Sequence, residues 1–299
     1  MNISGKTSSR SRWFPRRSRA KPRANSSGDF QQIKTRGSLF RRLNIYYPWF
    51  KIIAGFTMAL IILLNLSGVT VSRVQDSLDQ IRIAPMRYHV RSTNRDLAGK
   101  KLVALTFDDG PSPATTSALL DRLNEKDVLA TFFVLGIMAE RAPELLVRAQ
   151  EEGHELASHS RAHQNLIHLS PEEVQADTAS MKALFQSTIG REPALTRPPY
   201  GNYNDAVRSH LGTPLILWSV DPLDWQVKDP THIIATAKSQ VFDGAIILMH
   251  DIYPTSVEAV PNLIDSLRQD GYEFVTISEL AKARHTTLTP GEAYYKILP

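Results

Sequence analysis

Residues 101–136 read KLVALTFDDGPSPATTSALLDRLNEKDVLATFFVLG. A short apolar run ends at a Gly-Pro turn signal, a helix-like stretch with apolar residues three and four apart follows, and a second short apolar run comes next. That order predicts strand, helix, strand. The alternation then continues outward. HELASH (154–159), TPLILWSV (213–220), GAIILMH (244–250) and YEFVTI (272–277) read as further strands. PELLVRAQEEG (143–153), PEEVQADTASMKALFQSTIG (171–190) and VEAVPNLIDSLRQDG (257–271) read as helices. Strands alternating with helices imply an α/β domain, a mostly parallel sheet or barrel, over residues 101–282. In such folds the functional groups gather at the C-terminal ends of the strands. Residues 283–299 read as a C-terminal tail without an assigned role.

Upstream of this domain the composition changes. The chain has 299 residues, 42% hydrophobic and 22% charged, enough for one sizeable core with appendages. Residues 1–51 hold thirteen Lys and Arg against Asp29 alone, a local balance of +12, so the net charge of +5 leaves the remainder at −7. This Ser-, Pro- and Arg-rich segment reads as a disordered basic tail. Residues 52–71, IIAGFTMALIILLNLSGVTV, carry no formal charge and follow Tyr46, Tyr47 and Trp49, as a transmembrane helix with an aromatic belt would. A buried core helix and a cleaved signal peptide are the competing readings; the first lacks a polar stripe, the second a normal n-region and cleavage site. The flanking cations place the tail in the cytoplasm, where it can meet anionic lipid, and everything after residue 71 outside the cell. Nucleic acid is not expected as a partner. Residues 72–100 read as a stem.

There is no cysteine, so a transition-metal site has only His and carboxylate to draw on. Five short clusters end the apolar runs: Asp108-Asp109-Gly110-Pro111, His159-Ser160-Arg161-Ala162-His163, Arg197-Pro198-Pro199-Tyr200-Gly201, Asp224-Trp225 and Leu248-Met249-His250. Taken singly, the Asp pair reads as a strand exit or helix cap. His159 and His163, four apart, share one face of a helical turn and can reach one metal ion. His154 and His168 read as packing or surface residues, Trp218 as core, and Asp251 as an aid to the site or, preferred, a cap for the following helix.

In order and spacing these five clusters resemble the motifs of the polysaccharide deacetylase family, which shares the rhizobial chitooligosaccharide deacetylase domain. The resemblance covers roughly residues 101–280. It implies a distorted (β/α) barrel and a hydrolase that removes acetyl groups from an amino-sugar polymer. It further implies that Asp109, His159 and His163 hold a divalent metal, zinc foremost with cobalt competing. Asp108 would be the general base, paired with Arg197, and His250 the general acid, oriented by Asp224. The Tyr200 backbone N–H would face the oxyanion, with Trp225 and Leu248 in the wall of the substrate groove. Peptidoglycan N-acetylglucosamine leads as substrate, ahead of chitin-type oligomers, poly-N-acetylglucosamine and acetylated xylan. A non-catalytic glycan-binding protein on the same fold predicts gaps in this residue set, and the sequence shows none.

Overall fold

The run KLVALTFD forms β1, Lys101–Asp108, and only Lys101 is exposed. Parallel strands covered on both faces carry such continuous apolar runs. A computed structural model of the chain describes residues 95–299. The basic segment 1–51, the apolar segment 52–71 and residues 72–94 of the expected stem lie outside the described residues. Among the described residues no helix is long and apolar enough to cross a membrane.

β1 is the hub of the sheet. β2 (Thr131–Val134) pairs with its C-terminal end, β6 (Tyr272–Val275) with its N-terminal end, and β5 (Ala245–His250) with residues 103–108, all in parallel. β3 (Glu155–Ser158) continues the sheet beyond β2. Single bridges then carry the strands round: Ser158 to Thr196, Thr196 to Leu215 of β4 (Leu215–Ile216), and Val220 to Ile247 of β5. The result is a distorted barrel in which several staves are one or two residues long. TPLILWSV is therefore a strand only at Leu215 and Ile216. The register puts Asp108 opposite His250, so the ends of β1 and β5 meet at the barrel mouth.

Eight helices connect the strands among the described residues: α1 (Thr116–Glu125), α2 (Gly136–Ala139), α3 (Pro143–Glu151), α4 (Pro171–Ile189), α5 (Asp205–Leu211), α6 (Pro230–Gln240), α7 (Pro254–Gln269) and α8 (Ile277–Ala283). Capping chemistry sets several ends. Ser170 and Glu173 form a capping box at the start of α4, Gly190 ends it at φ 74°, and Thr276 and Glu279 form the box of α8. The four periodic stretches became α1, α3, α4 and α7. The helices α2, α5, α6 and α8 were not expected, and three of them, α2, α5 and α8, are only four to seven residues long.

The core follows the strand period of two. Val103, Leu105 and Phe107 pack outward with Leu119 and Leu123 of α1 and Leu263 of α7. Leu102 and Ala104 point inward, with Phe133, Ala157, Ile216, Ile246 and Val275. Each such fully buried Leu or Phe contributes about 1.5–3 kcal/mol. The next residues on the inward face of β1 are Thr106 and Asp108, so the barrel interior turns polar at its mouth.

Residues 283–299 are not a tail. β7 (Ala293–Tyr294) pairs with β4, Leu215 N donates to Glu292 O (2.9 Å), Leu217 N to Tyr294 O (2.8 Å), and Ile297 is buried with its N–H on Gly244 O (2.9 Å). The backbone N–H groups of Leu215 and Leu217 need acceptors, and this segment supplies them. A two-residue strand is too short to show a period, which hid it in the sequence. At the other end Arg95 donates to Phe274 O (3.0 Å) and Leu97 packs on the inner core, so the domain begins before β1.

Candidate active site

Three strand ends and two loops bring the chemistry together at the barrel mouth. His159 follows β3 directly and is buried; its Nδ1 lies 2.7 Å from Arg197 O. A carbonyl only accepts, so Nδ1 carries the proton and Nε2 presents its lone pair inward. Nε2 sits 3.5 Å from Asp109 Oδ1, and His163 Nε2 sits 3.3 Å from the same oxygen. Burial holds the His159 pKa below the ordinary imidazole value; Asp108 and Asp109 oppose that pull without reversing it. His159 is thus the neutral form that a metal needs.

The two histidines do not share a helical turn. Residues 159–163 are an irregular loop in which Ser160 (φ 72°) and His163 (φ 56°) are left-handed, and this folding back sets the imidazole centroids 5.1 Å apart. Asp109 (φ 75°), Tyr200 (φ 62°) and Leu223 (φ 57°) are left-handed as well. Of the seven non-glycine residues with positive φ among the described residues, three, Asp109, His163 and Tyr200, line one cleft, and Ser160 lies beside His159 in the chain. Such strain persists where surrounding structure enforces it, as at functional sites.

One ligand atom each from Asp109, His159 and His163 lies within 4.8 Å of the others, and Asp109 Oδ1 is buried without a hydrogen-bond partner. An orphaned buried carboxylate oxygen is costly unless a cation completes it. The donor set, two imidazoles and one carboxylate, fits a divalent metal with positions left open.

Two buried pairs flank these ligands. Arg197 is fully buried inside the barrel, with its guanidinium 4.0 Å above the Phe133 ring. Its Nη1 donates to Asp108 Oδ1 (2.7 Å) and Thr106 Oγ1 (2.8 Å), Nε to Ile216 O (2.9 Å) and Nη2 to Leu217 O (3.1 Å). Asp108 Oδ2 is left facing His159 Nε2 at 3.6 Å. On the other side Asp224, fully buried, accepts from His250 Nδ1 (2.8 Å), His250 N (2.8 Å) and Ser256 Oγ (2.6 Å). Burial pulls the His250 pKa down, but the Asp224 hydrogen bond and charge, with Asp108 and Asp109 adding to them, raise it above the usual value.

Between the pairs lies a cleft of about 400 Å³. Leu248 forms part of its floor, and Tyr200 (61% exposed) and Trp225 (47% exposed) offer aromatic faces at its edge. Trp218, expected in the core, is half-buried: it packs against the core and also lines the cleft. His154 packs edge-on against Phe132 and His168 lies in a 3-10 turn, both away from the site.

A family model described as polysaccharide deacetylase matches residues 96–213. A peptidoglycan-N-acetylglucosamine deacetylase of Bacillus cereus is 36% identical over 198 residues, covering 62% of this chain and 91% of that protein. The chain belongs to the polysaccharide deacetylase family. The peptidoglycan-N-acetylmuramic acid deacetylase PdaC of Bacillus subtilis (strain 168) is 42% identical over 185 residues, covering 62% of this chain and 40% of that relative. The chain thus spans about two fifths of that relative's length. Among solved structures, a family 4 acetyl xylan esterase from Clostridium thermocellum in complex with a cobalt ion aligns with TM-score 0.64 at 31% identity, over 66% of this chain and 99% of that one.

Within this deacetylase domain the sequence reading missed Thr106, Ser256 and the buried role of Asp251. Thr106 had a signal, since it lies two residues before Asp108 on the same strand face. Ser256, in the first turn of α7, had none. Asp251 does not cap α7, whose N-cap residue Tyr253 makes no side-chain capping bond. Its carboxyl is instead buried against Thr116 Oγ1 (2.5 Å), and burial pushes its pKa up to about 7.

Proposed function

We propose that this chain is a divalent-metal-dependent deacetylase acting on N-acetylglucosamine residues of a cell-wall glycan, peptidoglycan foremost. The observation that carries this reading is the meeting of Asp109, His159 and His163 between the Asp108–Arg197 and Asp224–His250 pairs, at the edge of one cleft. When bound, a divalent ion at those three ligands supplies an acidified water and a counter-charge for the developing oxyanion. Asp108, held at Oδ1 by Arg197, takes the proton of the attacking water through Oδ2. The Tyr200 backbone N–H, aimed by the left-handed turn at that residue, is a second donor for the oxyanion. His250 passes the proton on its Nε2 to the leaving amine as the C–N bond breaks and acetate departs. An amine leaves poorly without that proton, so the Asp224 contact, which holds His250 protonated, is part of the chemistry.

Residues 1–71, read as a cytoplasmic tail and membrane anchor, add an address facing the cell wall, which favours peptidoglycan over soluble oligomers. The likeness to an N-acetylmuramic acid deacetylase supports a second reading, in which the acetamide belongs to the lactyl-bearing sugar of the same polymer. Acetate release from purified peptidoglycan and from a chitin oligomer, with and without a chelator, tests the proposal. Release that the chelator stops supports it. Release that the chelator leaves untouched removes the metal, and no release from any amino-sugar polymer removes the activity.

The raised pKa of His250 has a definite sign in the pH profile. As an acid it works while protonated, so kcat/KM falls as pH rises through its folded-state pKa, and that limb lies above the ordinary imidazole range near 6.5. Asp224→Asn removes the charge that holds the proton. The basic limb is expected to move to lower pH, with loss at neutral pH of much of the 10²–10⁴-fold that general acid catalysis supplies, roughly. An unshifted basic limb in the variant would show that His250 is not the titrating acid.

A further inference from the structure

The buried carboxyl of Asp251 is not used in the chemistry above, yet it touches the loop that carries Asp108 and Asp109 from behind. Its backbone N–H donates to Asp108 O (3.3 Å), where the loop begins. Its Oδ2 accepts from Thr116 Oγ1 (2.5 Å), and the same Oγ1 accepts from Ser112 N (2.7 Å), where the loop ends. Between these two anchors lies Gly110, whose carbonyl is held by Leu135 N (2.9 Å). A Cβ placed on Gly110 would overlap the Asp251 carboxyl. The backbone at Gly110 is not in the left-handed region, so conformation alone does not demand glycine there. What excludes a side chain is Asp251.

We propose that Asp251 is a positioning residue: its carboxyl, seated against Gly110 and tied through Thr116 to Ser112, sets the distance between the Asp108-Asp109 loop and His250. The residue is suited to that work because it follows His250 in the chain and shares the end of β5, while its side chain reaches the loop of β1. A change in its bulk is transmitted to both sides of the reacting centre at once. A misplacement near 1 Å between groups that must act together costs about 10²-fold in rate. This role rests on the proposed assignment of Asp108 as base and His250 as acid.

The test is a double-mutant cycle in the full chain, read as kcat and KM for acetate release, with unfolding midpoints measured alongside. Gly110→Ala alone is expected to lower kcat by about 10²-fold, because its methyl must push Asp251 or the loop aside. Asp251→Ala alone is expected to lower kcat by about 10-fold with little change in KM, and Asp251→Asn, which keeps shape and the Thr116 acceptor, to stay within about 3-fold of wild type. In the double variant Gly110→Ala/Asp251→Ala the new methyl enters the space that the carboxyl left. Its kcat is expected to exceed the product of the two single losses by about 10-fold or more, since residues in contact couple. A multiplicative double variant, or Asp251→Asn as damaging as Asp251→Ala, overturns the positioning role. A wild-type chain that releases no acetate overturns the proposed function instead, and coupling in the unfolding midpoints then shows the contact without a reaction to position.

Discussion

Asp109→Asn is expected to lose tightly bound divalent metal and to slow acetate release by about 10²–10³-fold, the scale on which removal of one electrostatic partner of a transition state is felt. The substitution is chosen to separate charge from shape. Asp109 is left-handed, at φ 75°, and Asn is among the few residues that accept that conformation, so the loop keeps its course. What disappears is the single negative charge among three ligands. His159 and His163 remain, but they leave the cation with no charged ligand. Replacing partners outside the ligand shell already costs about 10–100-fold in metal affinity, and a ligand itself costs more. Metal content after dialysis, measured by atomic emission, and kcat on the same preparation are the two readouts. A variant that keeps one equivalent of metal and the wild-type rate would mean that the cation, if any, sits elsewhere.

Arg197→Met is expected to damage stability as much as activity. The guanidinium is fully buried, and its removal leaves Asp108 as an uncompensated charge while Thr106 Oγ1, Ile216 O and Leu217 O lose their donor. Breaking one partner out of a buried ion pair costs about 3–5 kcal/mol, because the surviving charge has neither water nor counter-ion. For a domain of this size that is a fall in unfolding midpoint of roughly 6–20 °C. Lysine is not expected to rescue it, since one ammonium cannot serve a carboxylate, a hydroxyl and two carbonyls lying in different directions around a planar fork. The double variant Asp108→Asn/Arg197→Met is expected to recover part of the midpoint by removing the stranded charge, while recovering no activity. Calorimetry on the three proteins checks this. A single variant with an unchanged midpoint would mean that water or another cation replaces the guanidinium.

Both expectations come from the way tertiary packing adds meaning to residues already conspicuous in the chain. The alternation beginning at residues 101–136 was sufficient to identify a strand–helix domain, because long runs with a period of 2 or 3.6 encode which face is to be buried. The set Asp108, Asp109, His159, His163, Arg197, Asp224 and His250 was legible through the resemblance of five ordered clusters to the family motifs. The five clusters end apolar runs, and the ends of parallel strands meet at one rim whatever the details of the connections. The pairing of Asp108 with Arg197 and of Asp224 with His250 followed from charge and family order, and these pairs lie at 2.7 and 2.8 Å.

Other features depended on backbone paths that no local pattern encodes. His159 and His163 meet through two left-handed residues in a loop, whereas their spacing suggested a helix. The last seventeen residues looked like a tail because a strand of two residues has no period, yet the N–H groups of Leu215 and Leu217 donate to that segment. Ser256 reaches Asp224 only because α7 starts beside the loop after Val220, and Asp251 fills the space behind Gly110 only because β5 lies against β1. Composition and period determined which runs are buried, since that depends on each residue's affinity for water, and the resemblance to a known family pointed to the strand ends of interest. The distances that suit the Asp pair of residues 101–136 to the proposed roles of base and ligand were decided by the packing of strands far apart in the chain, because a contact across a barrel leaves no mark on its neighbours in sequence.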